Sequence, residues 1–340
     1  IIVSIGIARV SENLGVPVLV LFLVIGMLAG SEGPGGIYFD DANLSQSIGV
    51  IALVFILFAG GLDTKWTEVK PVFRQATILA TLGVFLTATA VGFFAYFFLK
   101  FSLLTALLLG AVVSSTDAAA VLSVLRSKNV SLRGQLKPLL ELESGSNDPM
   151  AVLLTIGIIQ VIMKPETSPG SLAILFVIQM GLGVVLGLGF GKALVFILNR
   201  LKSYYEGVYP VLSLAMAALA YGGTTVAGGS GFLAVYLMGI VAGNSEFVHK
   251  KSMMRFFDGL AWLSQIAMFL TLGLLVFPSH IVPIILDGLI CSAFLMFIAR
   301  PVSIFLSFFI ERIEWREKLL ISWVGLRGAD PIVLATFPQL

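Results

Sequence analysis

The residues best suited to chemistry form a polar cluster inside an apolar stretch of the chain. Glu141, Glu143, Ser144, Asn147 and Asp148 lie close together there. At about 100° per residue in a helix, Glu141, Ser144 and Asp148 share one face, and Glu143 and Asn147 lie on a neighbouring face. Carboxylate, hydroxyl and amide oxygens are hard ligands that suit a small cation. The same carboxylate can hold a proton instead, and binding either species at one aspartate is the minimum chemistry of exchange.

Two further stretches place polar residues and helix breakers inside apolar runs. The first contains Thr116 and Asp117, and the second begins at Gly325 and contains Arg327 and Asp330. Unwound backbone at membrane depth is tolerated only where it is buried in protein or lines a watery cavity, and half-helix ends there offer carbonyls and dipoles to ions. Paired broken segments in the two halves of a chain therefore indicate a transporter site.

The elements that position these residues must be membrane-spanning helices. The mean hydropathy is +1.02, and 58% of the residues are hydrophobic whereas only 12% are charged. An ordinary soluble domain has about 25% charged residues. A formal charge of +2, one cysteine and two histidines give no reason to expect a nucleic-acid partner, a disulfide framework or a histidine metal site. The composition predicts a multi-pass protein whose surface faces lipid.

Apolar runs divide the chain into about twelve spans, the first of which is too short to cross a membrane. The approximate bounds are 1–8, 16–30, 46–62, 75–99, 103–125, 138–162, 172–198, 208–226, 230–243, 258–277, 283–310 and 318–337. Most of the 21 basic residues fall in alternate connections, which are therefore expected to be cytoplasmic. Since the chain begins without methionine, in a short apolar run, we expect it to be a fragment.

Several ionisable residues lie inside these spans, including Asp117, Glu143, Asp148, Arg300 and Asp330. A charge near the bilayer centre costs several kcal/mol or more, and its usual role is in an ion pathway with a partner nearby. Each one alone could equally belong to a structural ion pair that locks two helices. Asp148 lies about 16 Å along a helix from Lys137, near the midplane of a core about 30 Å thick.

These motifs resemble the NhaP-type branch of the monovalent cation:proton antiporters, in order, at similar spacing and over nearly the whole chain. The motifs are Ser115-Thr116-Asp117, Glu143 to Pro149, Ala299-Arg300-Pro301 and Gly325 to Gly328. The resemblance implies an all-α, NhaA-like inverted-repeat fold with broken, crossing helices, of which about twelve of the usual thirteen spans are present. It also implies an ion-transport core, at about 75–162 and 283–340, beside a dimerisation scaffold at about 1–62 and 172–277.

The same resemblance assigns roles to individual residues. Asp148 is expected to bind the cation and the proton alternately, while Ser144, Asp117 and Thr116 supply further oxygens or shape the site. Asn147 is expected to orient them, and an Asn-Asp pair accompanies electroneutral exchange in relatives. Two more residues, Glu143 and Arg300, are expected to form a structural ion pair. Arg327 and Asp330 at the second helix break are expected to affect pH response.

Two departures from the family pattern bear on these expectations. Asp330 stands where the family usually has an apolar residue, so it adds an acid beside Arg327. Ala59 stands where some relatives place an acid before two glycines. The glycines of the seventh span are better explained as helix-packing positions than as ion ligands; they are Gly181, Gly183, Gly187, Gly189 and Gly191.

The functional prediction is a secondary active antiporter of the bacterial inner (plasma) membrane, not an enzyme. It would exchange Na+ or K+, with Li+ a further candidate, for protons by alternating access, as a homodimer and without a cofactor. The sequence leaves the choice of cation open, because selectivity depends on cavity geometry and dehydration. The alternatives are an uncoupled cation channel and, from other classes, a membrane-embedded hydrolase or a receptor. A hydrolase would need a nucleophile with a base or a metal set, for which the chain shows no pattern.

Overall fold

The structure of the chain is a computed structural model that describes residues 18–117, 132, 134–164, 166, 168–201, 205–309, 311, 313–325 and 330–337. The regular secondary structure within these ranges is helical. The helices are α1 (Val18–Ala29), α2 (Ala42–Asp63), α3 (Trp66–Phe98), α4 (Leu103–Val112), α5 (Leu136–Met163), α6 (Pro169–Arg200), α7 (Val208–Val226), α8 (Gly231–Gly243), α9 (Lys250–Leu275), α10 (Pro278–Ser307), α11 (Trp315–Val324) and α12 (Asp330–Thr336).

Seven of the described helices are long and apolar enough to cross a membrane, judged by length and composition, and they are α2, α3, α5, α6, α7, α9 and α10. Three shorter apolar helices accompany them, namely α1, α4 and α8. Each predicted span from 16–30 to 283–310 corresponds to one described helix, and the last span, 318–337, corresponds to two, α11 and α12. The predicted run at 1–8 lies outside the described residues. Helices are the expected solution here because they satisfy their own backbone hydrogen bonds in lipid.

Serine residues fix where three of these helices begin. Ser102, Ser168 and Ser230 each precede a helix in an extended conformation, and each hydroxyl accepts a hydrogen bond from the backbone N–H three residues later. Such N-caps satisfy one of the N–H groups that a helix start leaves unpaired. The short polar breaks between apolar runs therefore act as helix start signals as well as loops.

The chain separates into two compact units. Unit 1 takes its described residues from Ile1–Gly49, Phe73–Met163 and Gln265–Leu340, and unit 2 takes them from Val50–Val72 and Lys164–Ser264. Parts of the predicted scaffold, before Gly49 and after Gln265, belong to unit 1 by this division. Because compactness alone does not show which unit carries ions, the division into core and scaffold stays a prediction.

Within unit 1, α10 runs antiparallel to the part of α3 from Phe73 onward, and contacts mark both ends of this pairing. Near one end Arg74 lies 3.1 Å from the carboxylate of Glu311, four residues after the end of α10. Toward the other end the rings of Phe94 and Phe294 stack with centroids 4.0 Å apart. Each helix also contains one π-helical segment, Leu79–Gly83 in α3 and Leu295–Ala299 in α10. In each case the next helix in the chain, α4 or α11, ends at a break inside an apolar run.

Within unit 2, the glycines of α6 divide into two groups. Gly183, Gly187 and Gly191 recur every four residues and face α8, where a Cβ at Gly187 would lie 2.7 Å from the backbone of that helix. A Cβ at Gly181 or Gly189 would have no atom of the described structure within 4 Å. The packing role predicted for the five glycines is therefore confirmed for Gly183, Gly187 and Gly191, and it stays a prediction for Gly181 and Gly189.

Candidate ion-binding site

The interruption predicted within the fifth span begins where α4 ends. Val112 is the last residue of α4, and Ser114 to Asp117 are not helical. The Ser114 hydroxyl donates to the carbonyl of Ala111 at 2.6 Å, which satisfies one of the carbonyls that the helix end leaves open. Ser114, Ser115 and Thr116 are buried, and Asp117 is half-buried. A stretch of irregular polar backbone thus lies inside the protein.

Helix α5 meets this interruption through two side chains one turn apart. The Ser144 hydroxyl donates to the Thr116 carbonyl oxygen at 2.9 Å. The Asn147 Nδ2 donates to the Thr116 Oγ1 at 2.6 Å. Three of the residues singled out in the sequence, from two separate motifs, are therefore in direct contact. The sequence pattern predicted both motifs, and the structure shows that they meet at Thr116.

Asp148 follows Asn147 on α5 and is buried, with 6% of its surface exposed. The Asn147 Oδ1 is also buried, and it accepts no hydrogen bond from any residue that the structure describes. A buried amide oxygen normally has a partner, because leaving one unsatisfied costs about 1–3 kcal/mol. An oxygen of this kind beside a buried carboxylate is suited to bind a cation that has lost its water.

Glu143 and Arg300 form the ion pair expected of them. Arg300 Nη2 lies 2.5 Å from Glu143 Oε1, and each residue is only 1% exposed. The pair joins α5 to α10 within unit 1. The Arg300 Nε and Nη1 atoms have no hydrogen-bond acceptor among the described residues, so the guanidinium is held mainly by one carboxylate and by packing. A buried pair of this kind neutralises two charges that would otherwise be very costly at membrane depth.

Gly325, at the second helix break, packs directly against this ion pair. It follows the last residue of α11, and a Cβ at this position would lie 2.7 Å from the Arg300 Nε. The guanidinium therefore occupies the space that any larger residue would need. The sequence marked Gly325 only as a helix breaker, and nothing in its spacing indicated that it contacts Arg300.

The structure does not place every predicted residue in this site. Glu141 lies about one helical turn before Ser144 on α5. Its carboxylate is 3.7 Å from Lys137 Nζ. The prediction for Arg327 lies outside the described residues, as does the prediction for the side chain of Asp330. Thr87 and Ser303, which the sequence analysis did not single out, form a buried hydroxyl contact between α3 and α10.

Comparison with known proteins supports the same family over the whole chain. The profile of the family described as "Sodium/hydrogen exchanger, transmembrane" matches residues 1–340. The K+/H+ antiporter NhaP of Alkalimonas amylolytica is 44% identical over 339 residues, which are 100% of this chain and 59% of that protein. The K+/H+ antiporter NhaP2 of Shewanella sp. (strain MR-4) is 42% identical, over 99% of this chain and 59% of the relative. The chain thus spans about three fifths of the length of these relatives.

A more distant relative has a known structure. The sodium proton antiporter MjNhaP1 of Methanocaldococcus jannaschii, solved at pH 8, superposes with a TM-score of 0.85 and 25% identity, over 98% of this chain and 85% of that one. This match confirms the predicted fold class, and the bacterial relatives agree with the predicted multi-pass location in the plasma membrane. The relatives are transporters rather than enzymes. The chain therefore belongs to the transmembrane sodium/hydrogen exchanger family, as its motifs predicted.

Proposed function

We propose that the protein exchanges a monovalent cation for a proton across the membrane, with Asp148 as the shared binding group. The observation that carries the proposal is the contact of Thr116 with Ser144 and Asn147 beside the buried Asp148. This contact joins an interrupted helix to the helix that carries the carboxylate, within unit 1. Interrupted helices are what membrane transporters use to hold ions. Family membership supports the same function.

The cation would bind among oxygen atoms of α5 and of the interruption after α4. The candidate ligands are the Asp148 carboxylate, the Asn147 Oδ1 and the Ser144 hydroxyl oxygen, with Thr116 and Asp117 shaping the site. The Ser144 hydroxyl and one N–H of the Asn147 amide donate to Thr116. The Asn147 Oδ1 has no hydrogen-bond partner among the described residues, which leaves this oxygen for a cation. Glu143 and Arg300 would hold α5 and α10 together and take no direct part in binding.

The coupling follows from competition for one carboxylate. When Asp148 holds a proton it is neutral and does not attract a cation, and when the proton leaves, the carboxylate does. The site turns from one side of the membrane to the other only when Asp148 holds a proton or a cation. Each cation that crosses in one direction therefore requires a proton to cross in the other. Because Asn147 is neutral, Asp148 is the one carboxylate for which the cation and the proton compete, and this favours electroneutral one-for-one exchange.

We infer K+ as the first substrate to test, because the relatives at 41–44% identity are named K+/H+ antiporters. Na+ is the second, because the antiporter of Methanocaldococcus jannaschii, 28% identical, is named for Na+. We also propose that the protein acts as a homodimer, with the ion-transport core at about 75–162 and 283–340 and the scaffold at about 1–62 and 172–277. All the proposed site residues belong to unit 1, which supports this placement of the core.

The test is proton movement in everted membrane vesicles that contain the full-length protein. Respiration establishes a pH gradient, and KCl, NaCl or LiCl is then added in turn while a fluorescent probe reports the gradient. We expect one cation to collapse the gradient with wild-type protein and with Asp258→Asn, an exposed control on α9, but not with Asp148→Asn. Cation uptake without proton movement would indicate a channel, and no response to any cation would refute the proposed exchange.

A further inference from the structure

A buried hydroxyl contact joins the two π-helix-containing helices of unit 1. The Thr87 hydroxyl donates to the Ser303 Oγ at 3.0 Å, and the Ser303 hydroxyl donates to the Gly83 carbonyl at 2.6 Å. The Thr87 hydroxyl also lies 2.8 Å from the same carbonyl. Thr87 is 0% exposed and Ser303 is 1% exposed. Serine and threonine hydroxyls form such bonds between membrane helices, and a bond between two particular residues favours one register of the two helices.

The two residues occupy equivalent positions in their helices. Thr87 is the fourth residue after Gly83, which ends the π-helical segment of α3. Ser303 is the fourth residue after Ala299, which ends the π-helical segment of α10. Since α3 and α10 run antiparallel and each precedes a broken helix, the contact lies where the two halves of the predicted repeat meet. Short π-helical segments inside α-helices frequently accompany functional sites.

The contact also lies next to the ion pair of the proposed site. Arg300 precedes Ser303 by one helical turn, on the same buried face of α10, and binds Glu143 on α5. Glu143 in turn precedes Asp148 by five residues, a rise of about 7.5 Å along the helix. A shift of α10 along α3 would therefore move Arg300 relative to Glu143 and would change the surroundings of the carboxylate that binds the ion.

We propose that Thr87 and Ser303 are positioning residues for cation exchange, because their contact fixes α10 in the register that places Arg300 on Glu143. The inference rests on the proposed function of Asp148. Without the contact, α10 samples other registers, and only a fraction of the molecules hold the site in its binding geometry. The apparent affinity for the cation then falls by that fraction, while the rate at saturating cation is largely kept.

The experiment measures exchange against cation concentration in vesicles with equal amounts of folded full-length protein. For Thr87→Val and Ser303→Ala we expect the apparent KM for the cation to rise roughly 2- to 10-fold, the change that one net hydrogen bond supplies. Thr87→Ser and Ser303→Thr keep a hydroxyl and should restore the wild-type KM. Since Ser303→Ala already removes the contact, the double variant Thr87→Val/Ser303→Ala should be no worse than Ser303→Ala.

Thr89→Val is the matched control on α3. The Thr89 hydroxyl donates to the Phe85 carbonyl four residues earlier at 2.8 Å. Thr89 is half-buried, and two residues after Thr87 it lies on another face of the helix. The apparent KM of the Thr89→Val variant for the cation should equal that of the wild type. If Thr87→Val is not recovered folded, Ser303→Ala decides the question. An unchanged KM for Ser303→Ala would refute this inference alone. So would a double variant whose rise in KM equals the product of the two single rises. Wild-type protein that shows no exchange would refute the proposed function as well.

Discussion

Asn147 and Thr116 are 2.6 Å apart between Nδ2 and Oγ1, and their hydrogen bond ties the interruption after α4 to the helix that carries Asp148. Both residues are buried, at 0% and 4% exposure. The bond therefore forms where water competes little for either group, and it determines which way the amide points. With the donor on Thr116, the Asn147 Oδ1 is directed away from that hydroxyl and remains available as a ligand.

Thr116→Val keeps the shape of the side chain but removes its hydroxyl, and it should impair exchange. The change removes the acceptor of Asn147 Nδ2 and leaves a buried N–H group unsatisfied, at a cost of about 1–3 kcal/mol. The amide is then free to turn, so the ligand oxygen is lost as well. The measurement is exchange in vesicles together with thermal unfolding of the purified protein in detergent.

Thr105→Val serves as the control for this variant, because Thr105 is an exposed residue in the first turn of α4. It should retain wild-type exchange and stability. Thr116→Val and Asn147→Ala should also be less than additive in combination, since each removes the same bond. Fully additive losses would show that the two residues act independently.

Removing one partner of the Glu143–Arg300 pair should destabilise the protein strongly. Arg300→Met or Glu143→Leu leaves a buried charge without its counter-ion, which costs about 3–5 kcal/mol, whereas the double variant removes both charges and should recover most of that loss. Thermal unfolding in detergent compares the three. Glu68→Gln is the control, because the Lys65–Glu68 pair at 2.9 Å is exposed and such pairs contribute about 0–1 kcal/mol. A double variant as unstable as the singles would contradict a purely structural role.

Substituting Gly325 by alanine should disturb the same ion pair from the other side. The new Cβ would lie 2.7 Å from the Arg300 Nε, so either the guanidinium or the backbone after α11 must shift. Overpacking of this kind typically costs about 1–3 kcal/mol. We expect lower exchange and an earlier thermal transition. Gly288→Ala on α10, where a Cβ would have open space within 4 Å, should change neither, and equal effects of the two substitutions would argue against the contact.

The sequence predicted the helices and the two motifs, but not the contact between them. Periodicity places Ser144 and Asn147 on a helix surface, and hydropathy locates the break that contains Thr116. Neither signal identifies the residue that each side chain contacts on the neighbouring segment, because that depends on how α4 and α5 pack. Glu141 illustrates the limit, since its place in the cluster suggested a site role, whereas in the structure its carboxylate lies near Lys137.

Packing positions were likewise only partly predictable. Five glycines in α6 indicated close contact with a neighbour, and three of them have it. Gly181 and Gly189 are on another face of the same helix, and a sequence without its partners does not identify the face that meets α8. Thr87 and Ser303 were missed for a related reason. Single hydroxyl residues in apolar helices usually bond to their own backbone, and only the crossing of α3 and α10 brings these two together.

A last prediction concerns Glu32, in the loop after α1. Its carboxylate accepts hydrogen bonds from the Ser279 hydroxyl and from the Ser279 backbone N–H, the latter at 2.7 Å. These bonds and, to a smaller extent, the nearby His280 hold the pKa of Glu32 below its ordinary value of 4.5. A lowered pKa means that the folded protein favours the charged form. The contact therefore adds stability above pH 4.5, and the stability is lost as the pH falls through the pKa of the folded state.

Glu32→Gln should consequently lower the midpoint of thermal unfolding at neutral pH, and the difference from wild type should shrink to nothing well below pH 4.5. Because Glu32 is exposed, salt screens the interaction and the difference should also decrease at high ionic strength. Unfolding curves of the detergent-purified protein over a series of pH values measure both trends. Glu166→Gln changes another exposed glutamate and should have no such effect. A Glu32→Gln difference that persists unchanged at acid pH would show that the side chain stabilises the loop without its charge.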